Sequence, residues 1–513
     1  MDAPRQPGAE NLRLVLGLKL RALRDGRGWT LQELARRAGM AISYLSEIEK
    51  GKKYPKPEKL LALAGALGVG FEELVSPRVT EELSALSAFA GSDFLREFPF
   101  HLFGLDASDL FELVAGEPEK AGALLRTFGE IVHRHDLEVE QLLFAALRSY
   151  QQLQRNSFPE IERAAESFRR ERGWSARDRI EEDEVLAALV TGHGYRVDFE
   201  ALAARHDLSD LRSVYAGGTR PTLFVNGRLS PRQRAFAMAR ELGFRVLGLE
   251  QRPRTSSWVK AESFEQVLAN FHASSFAGAV LLPRAAMLEE LRRFFGAEKF
   301  RARALVEMLS RFGATPEMLF YRISQLAPSE LGLADLFFVR FFLDSKRDRP
   351  RLTKVLNLSR FDVPYGVSPA EHPCRRWPGV ALLEDTASVR AATLERPAVA
   401  AALCRFQSEP VEFLVMSLAR PLTLRPRTLS SVSLGFLADE HLREVAAFLD
   451  DRGLRRREVD LTCERCPLPA AACAERAAPA RVLAARDQLG RREAALDALV
   501  ATAERRPPRA PGH

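Results

Sequence analysis

Between residues 30 and 51 the chain reads TLQELARRAGMAISYLSEIEKG, with apolar positions recurring three and four residues apart in two successive stretches. Thr30 opens the first stretch and Glu33 follows at capping-box spacing. Leu34, Ala35 and Ala38 give that helix one apolar face, and Gly39 supplies the positive φ that ends it. In the second stretch Leu45 and Ile48 point inward while Ser43, Ser46, Glu47 and Lys50 are left outward, and Gly51 closes it. Leu16, Leu20 and Leu23 mark a helix before this pair. Pro55 and Pro57 start another after it, which buries Leu60, Leu63, Ala64 and Leu67. The pattern predicts a five-helix block over about residues 12–76 with a helix-turn-helix at its centre.

Downstream the period changes twice. From Ser76 to about Trp174 nearly everything has helical spacing, punctuated by Pro77, Pro99, Pro118 and Pro159. Near Ile180 alternating segments such as TGHGYRVDFEAL and TRPTLFVNGRL predict short strands, followed by an amphipathic helix from Pro231 to about Leu249. In the last third, VEFLVMSLARPLTLRPRTLSSVSLGFLADEHLREVAAFL predicts two strands and a helix, with turns at Pro421 and Pro426. The expected fold class is mainly α with α+β parts. Its divisions are a helix-turn-helix domain over 1–79, a helical linker or dimerisation region over 80–178, an α+β domain over 179–350, and a cysteine-bearing α+β domain over 351–513. Residues 1–11 and the Arg-rich end are expected to be a disordered arm and a solvated helix with a disordered tip.

At 513 residues the chain exceeds one ordinary core, and 46% hydrophobic with 28% charged residues is the balance of a soluble globular protein. No stretch reaches the roughly 18 uninterrupted apolar residues of a membrane span, and the first residues lack signal-peptide order. Five cysteines argue against a disulfide framework, so a cytoplasmic protein of a bacterium or phage is expected, with no membrane partner. The charge is uneven. Residues 1–79 hold fourteen Lys and Arg against nine Asp and Glu, which is five of the chain's seven net positive charges.

The five-helix block, and SYLSEIEKGKKYPKPEKL in particular, resembles the XRE (Cro/repressor-like) DNA-binding family. The resemblance implies double-stranded DNA as partner, with Ala41, Ile42, Ser43 and Ser46 against base edges. Gln32 would hold a phosphate, and Lys50, Lys52, Lys53 and Tyr54 the backbone beyond the recognition helix. Phosphate contacts position the domain, whereas groove contacts carry sequence. One head offers few contacts, so a homodimer on two half-sites is expected. His133 and His135 share a helix and are not read as metal ligands.

The segment SPRQRAFAMARELGFRVLGL, with FHASSFAGAVLLPRAAM and RALVEMLSRFGATPEMLFYRISQL after it, resembles the ImmA/IrrE metallopeptidase-like (zincin-like) domain. In that family the helix carries H-E-x-x-H, where residues i and i+4 hold zinc and the glutamate is general base. Here the five positions read Arg240-Glu241-Leu242-Gly243-Phe244. Neither Arg240 nor Phe244 can bind zinc, so no enzymatic activity is expected. The alignment places His272 where the third, acidic ligand would stand.

Cys463, Cys466 and Cys473, with Cys374 in HPCRRWPG, are dense for so cysteine-poor a chain. Three or four thiolates drawn from a loop and a distant segment suit a tetrahedral zinc, an iron–sulfur cluster or reduced structural thiols. His372 and His441 are further candidates, though a surface or core role suits each better, and Cys404 reads as a core residue. A helix-turn-helix head joined to a degenerate ImmA/IrrE-like domain and this tail resembles the short-chain fatty acyl regulators. That resemblance implies a transcription factor sensing a short-chain acyl-CoA, with a 4Fe–4S cluster on the cysteines. Coenzyme A needs cations at the mouth of a site and an apolar slot. Arg322, Arg340, Arg375 and Arg376 are candidates the sequence does not assign. The alternatives are a regulator switched by the redox state of the cluster, and a protease cutting a repressor.

Overall fold

A computed structural model describes residues 9–50, 52–75, 139–255, 263–344, 349–361, 371–469 and 472–479, with scattered positions between 482 and 496. Residues 1–8 of the expected arm over 1–11, most of the helical linker (76–138, with His133 and His135), Gly51 and the tip beyond 496 lie outside these residues, whereas residues 9–11 of that arm are helical and open the first helix. Two compact units are present, residues 1–150 with 260–268 and residues 151–259 with 269–513. Among the described residues no helix is long and apolar enough to cross a membrane.

The first unit contains the head. Its helices are α1 (Ala9–Asp25), α2 (Leu31–Arg37), α3 (Ile42–Glu49), α4 (Pro57–Leu67) and α5 (Phe71–Val75). Leu16, Leu20, Leu34, Leu45, Ile48, Leu60, Leu63 and Leu67 are buried in one core, the residues that the periodicity selects. Each such side chain contributes roughly 1.5–3 kcal/mol on burial. Thr30 caps α2, its Oγ1 accepting from the Glu33 amide at 3.2 Å, and Gly39 has the expected left-handed φ of 62°. A contact that the spacing does not announce joins α1 to α3. A Cβ on Gly17 would lie 2.6 Å from the Glu49 carbonyl oxygen and 2.7 Å from that of Ile48, so the helices meet backbone to backbone. Arg24 reinforces the junction with a two-pronged ion pair to Glu49, at 2.7 and 2.9 Å.

A further helix, α6 (Val139–Leu153), runs across the boundary between the units. The second unit continues with α7 (Pro159–Glu171), α8 (Glu182–His193) and a three-stranded sheet of β1 (Arg196–Asp198), β2 (Ser213–Ala216) and β3 (Thr222–Val225). Strand order is β1-β3-β2, with β1 parallel and β2 antiparallel to the central β3. Next come α9 (Pro231–Val246), α10 (Phe264–Leu281, whose first residues fall in the first unit), α11 (Arg284–Phe295), α12 (Ala302–Arg311) and α13 (Pro316–Glu330). Ser230 and Gln233 form a full capping box at the start of α9.

A second sheet holds β4 (Leu336–Asp344), β5 (Arg351–Asn357), β6 (Ala398–Phe406), β7 (Glu412–Pro421), β8 (Thr428–Leu437) and β9 (Arg455–Val459), in the order β5-β4-β8-β7-β6-β9. Only β6 and β9 run parallel. The boundary expected between 350 and 351 therefore falls inside the β4–β5 hairpin. The sheet of the cysteine-bearing region already begins at Leu336, because β4 pairs with β8 along its whole length. Strand β8 is buried at every position and covered on both faces. On one face Phe337, Phe413 and Trp377 pack together beneath α14 (Pro378–Glu384). On the other, Phe436 meets Phe295 of α11 and Phe338 meets Tyr321 of α13. Helix α15 (Thr386–Ala391) follows α14, and α16 (Glu440–Val445) is the helix expected after the two strands.

Candidate functional site

Three places carry chemistry. In the head, Gln32, Ala41, Ile42, Ser43, Lys52, Lys53 and Tyr54 are exposed, and Ser46 and Lys50 are partly so. Ile42 is 46% exposed, unusual for so apolar a residue, and it stands at the first position of α3. The Lys53 ammonium is held by Glu47 at 2.7 Å, so a phosphate there would have to compete with a carboxylate. Arg37 covers the Trp29 ring at 4.2 Å, fixing the turn before α2.

The second place is the helix that resembles a metallopeptidase. Residues 240–244 lie in the middle of α9 and all five are buried. Gly243 is required there, because a Cβ would sit 2.8 Å from the Ala273 carbonyl oxygen of α10. Glu241 accepts from the Tyr195 hydroxyl at 2.6 Å and is ion-paired with Arg252, from the segment after α9. Arg245 donates to the same hydroxyl at 2.7 Å. Burial and the neighbouring Glu241 push the Tyr195 hydroxyl up to about 12, so it stays a donor. Both Glu241 contacts fall on the same oxygen, Oε1. Phe244 packs with Ala269, Ala273 and Leu249.

Arg240 has a different setting. It is 8% exposed, and among the described residues its Nη2 and Nη1 donate to neutral oxygens, Ser213 Oγ at 3.1 Å and Asn270 Oδ1 at 3.3 Å, while its Nε has no hydrogen-bond partner. Burial, opposed by Glu241 and reinforced by Arg212 and Arg252, lowers it to about 10, so it remains charged at neutral pH. The residue of α10 that faces the former metal position is thus Asn270. His272, expected there, packs instead against Phe158 and Phe271. A shift of two residues on a helix turns a side chain roughly 200° away.

A second group of charges, which includes Arg212, gathers around Glu317. Arg340 reaches both oxygens of Glu317, at 3.1 and 3.0 Å, and Lys354 reaches one at 3.2 Å. Burial would raise Glu317, but Arg340, Lys354 and Arg212 outweigh it and hold the carboxyl far below its usual range. Arg420 lies near Arg212 and Glu317 and is lowered to about 10, mainly by burial. Desolvation also leads in lowering Arg212 and Lys354. Yet Arg212 is exposed, and Arg340, Lys354 and Arg420 keep partial access to solvent. The ring of Tyr321 lies 4.1 Å from the Lys354 ammonium. The tip of the β7–β8 hairpin is tied to the loop before Arg212 by the Arg425–Asp210 ion pair.

The third place is the cysteine group. Cys374, Cys463, Cys466 and Cys473 are all buried and none is in a disulfide. Pro373 bridges Thr462, and the Cys463 amide donates to the His372 carbonyl at 2.9 Å, which brings the two segments together. The Cys374 thiol is pushed up to about 12, chiefly by burial and partly by Cys463 and Cys466, against backbone hydrogen bonds from Asp460 and Arg376. The Ala477 amide points at Cys463 Sγ, 3.5 Å away. Among the described residues no three His, Cys, Asp or Glu side chains stand at the spacing of a single bound ion. His372 is held by Glu464 at 2.7 Å and His441 meets the Leu331 carbonyl at 3.0 Å, so both have structural partners. Cys404 is fully buried in the sheet core, as expected. Of the unassigned arginines, Arg322 pairs with Glu162, Arg375 with Glu384, Arg376 with Glu475 and Arg340 with Glu317.

Sequence reasoning found the head, the altered helix and the cysteines. It missed Tyr195, Arg212, Ser213, Arg252, Glu317, Lys354 and Arg420, which lie far apart in sequence and belong to no motif.

A helix-turn-helix family model matches residues 20–74, and a model of the IrrE N-terminal-like domain matches residues 190–324. The HTH-type transcriptional regulator RamB of Mycobacterium tuberculosis is 26% identical over 356 residues, covering 63% of this chain and 68% of that protein. The uncharacterized HTH-type transcriptional regulator y4dJ of Sinorhizobium fredii is 39% identical over 67 residues, 13% of this chain and 87% of its own. A solved Mycobacterium tuberculosis transcriptional regulator aligns with a TM-score of 0.46 at 18% identity, over 66% of this chain and 94% of its own. The chain belongs to the helix-turn-helix transcriptional regulators of the XRE type that carry an IrrE-like domain.

Proposed function

We propose that this regulator binds its operator as a homodimer, senses a short-chain acyl-CoA and controls genes of short-chain fatty acid metabolism. The observation that carries the effector reading is the group of Arg340, Lys354, Arg212 and Arg420 around Glu317, which sets cations beside the aromatic ring of Tyr321. A phosphate-bearing ligand with an apolar arm needs both. Arg240 and Phe244 stand where the motif would have its zinc ligands and Glu241 is ion-paired with Arg252, which supports a scaffold that binds and does not cut. Ligand binding shifts the placement of two heads only by its differential affinity for the two arrangements.

The four cysteines fit a thiolate-bound group. They converge from two segments, backbone donors are aimed at their sulfurs, and Arg376 and Arg476 lie close enough to offset thiolate charge. An iron–sulfur cluster is the group proposed; zinc is the alternative. Bound there, it would cross-link the loop of Cys374 to the segment of Cys463, Cys466 and Cys473. If the cluster itself is the sensor, oxidation and not acyl-CoA will change DNA binding.

The test is selection of genomic fragments by the full-length protein, with and without propionyl-CoA. The reading requires two-fold symmetric sites beside genes of short-chain acid use, with affinity altered by the ester. Sites unrelated to such genes, or affinity indifferent to the ester, would overturn it.

A further inference from the structure

Helix α6 ends in a turn whose backbone favours glycine, yet the turn contains none. Arg155 and Asn156, between α6 and α7, both stand in the left-handed region, with φ of 49° and 51°. A side chain there crowds its own backbone, and the conformation persists only where the surroundings hold it. Asn156 is fully buried, and its holders are polar. Its Oδ1 accepts from Gln151 Nε2 at 2.9 Å, and its Nδ2 donates to Ser324 Oγ at 3.2 Å. The same Gln151 amide group donates to the Tyr321 hydroxyl at 2.7 Å. The Asn156 backbone amide closes the turn on the Gln151 carbonyl, also at 2.7 Å. Tyr321 has a second neighbour, because its ring lies 4.1 Å from the Lys354 ammonium, which is bound to Glu317 at 3.2 Å. The Lys354 side chain is 38% exposed, so a dissolved anion can reach it. The last turn of α6 is also tied to the strand of Lys354, since Gln152 Nε2 donates to the Asn357 carbonyl of β5 at 2.6 Å.

We propose that Gln151 and Tyr321 are positioning residues that carry the state of the Lys354–Glu317 pair to the turn between α6 and α7. The path runs from Glu317 through Lys354, Tyr321 and Gln151 to Asn156, and every step is a direct contact. An anion that draws the Lys354 ammonium away from Glu317 also changes its attraction to the Tyr321 ring. A shift of that ring moves its hydroxyl against the Gln151 amide, and a buried amide that loses its acceptor is costly. Gln151 is shared between Tyr321 and Asn156, so the strained turn follows. Helix α6 leads back along the chain toward the head, which makes this turn the element that effector binding would bias. The proposal rests on the effector reading only for what perturbs Lys354.

The connection is tested without ligand, by hydrogen exchange of the full-length protein at the amides of residues 154–157, measured against those of α8. Lys354→Met should speed exchange in the turn by about twofold or more, the scale of coupling within one network. In a Tyr321→Phe background, which removes the bond to Gln151, the same substitution should add nothing. Side chains that only fill space would give additive effects, and additivity overturns the proposal. The link to DNA is read on Gln151→Leu with propionyl-CoA and a DNA fragment selected by the wild-type protein. The variant should keep the wild-type thermal shift with the ester, while the ester's effect on DNA affinity falls toward nothing. Asn156→Gly, which keeps the left-handed turn and loses only the side chain, should behave alike. An undiminished effect on DNA affinity in both variants overturns the proposal as well. A wild type that ignores the ester defeats the effector reading, and the exchange result then decides the connection alone.

Discussion

The Tyr195 hydroxyl lies 2.6 Å from Glu241 Oε1. The glutamate that would be a general base beside zinc is here an acceptor at the centre of a buried cluster, with Arg252 and Arg245 completing it. A position can thus retain its residue and change its task, because the task depends on what the neighbours leave free.

Glu241→Ala should lower the unfolding free energy of the body by about 3–5 kcal/mol, since it strips Arg252 of a buried counter-charge. Tyr195→Phe should cost less, about 1–3 kcal/mol, by leaving one acceptor short. Denaturant unfolding measures both. If Glu241→Ala were neutral, the ion pair would not be a support of the fold.

The head offers a test of packing. Gly17→Ala places a methyl against the carbonyls of Ile48 and Glu49 and should destabilise the head by about 1–3 kcal/mol, loosening α3 from α1. DNA affinity should fall with it, while the ligand response of the second unit stays as in wild type.

Salt dependence separates the roles within the interface. Lys52→Gln should weaken binding to all sequences about equally and reduce the slope of log affinity against log salt by about 1. Ile42→Ala and Ser46→Ala should change preference among sites with little effect on the slope. Should Lys52→Gln alter preference and leave the slope intact, the assignment of phosphate and groove residues is reversed.

How far the sequence reveals these features depends on distance along the chain. Helices α1 to α5 follow from local spacing, caps and Gly39, so each shows in a few consecutive residues. Arg240 and Phe244 are legible because a helix fixes i and i+4 on one face whatever surrounds it. The four cysteines stand out by rarity. By contrast, Ser213 meets Arg240 only through the packing of β2 against α9, and Glu317 meets Arg340 only because β4 joins the second sheet. Burial of Arg240 without a counter-ion is likewise a property of tertiary packing. His272 was misplaced for the same reason: periodicity identified the helix but not which of its faces looks toward α9.

Acid sensitivity follows from groups whose proton affinity is depressed in the folded state, among them His272, His193 and Glu317. Burial holds His272 below the ordinary imidazole value of 6.5, so the unfolded chain takes up a proton that the folded chain refuses. Stability conferred above pH 6.5 is therefore lost as pH falls below it. Glu317 acts in the same direction in a more acid window, beginning near its ordinary value of 4.5. Thermal midpoints should decline from pH 7 to 5, and His272→Gln should flatten that first decline without changing the second.

The cysteine proposal is checked by composition. Protein purified without oxygen should contain about four iron atoms with acid-labile sulfide. Cys374→Ser, Cys463→Ser, Cys466→Ser or Cys473→Ser should each lose most of it, and Cys404→Ser should not. Stoichiometric zinc with no sulfide would replace the cluster by a zinc site.

The most direct measurement of the central claim is a thermal-shift titration of anaerobically purified wild-type protein with coenzyme A and its acetyl, propionyl and longer acyl esters. A ligand that binds only the folded state adds about 2.7 kcal/mol at a hundredfold excess over its Kd, enough to raise the midpoint visibly. The account predicts that one short acyl ester raises it well above free coenzyme A and above the longer chains. Equal midpoints with and without every ester would contradict acyl-CoA sensing and leave the cysteine group as the sensor to be tested.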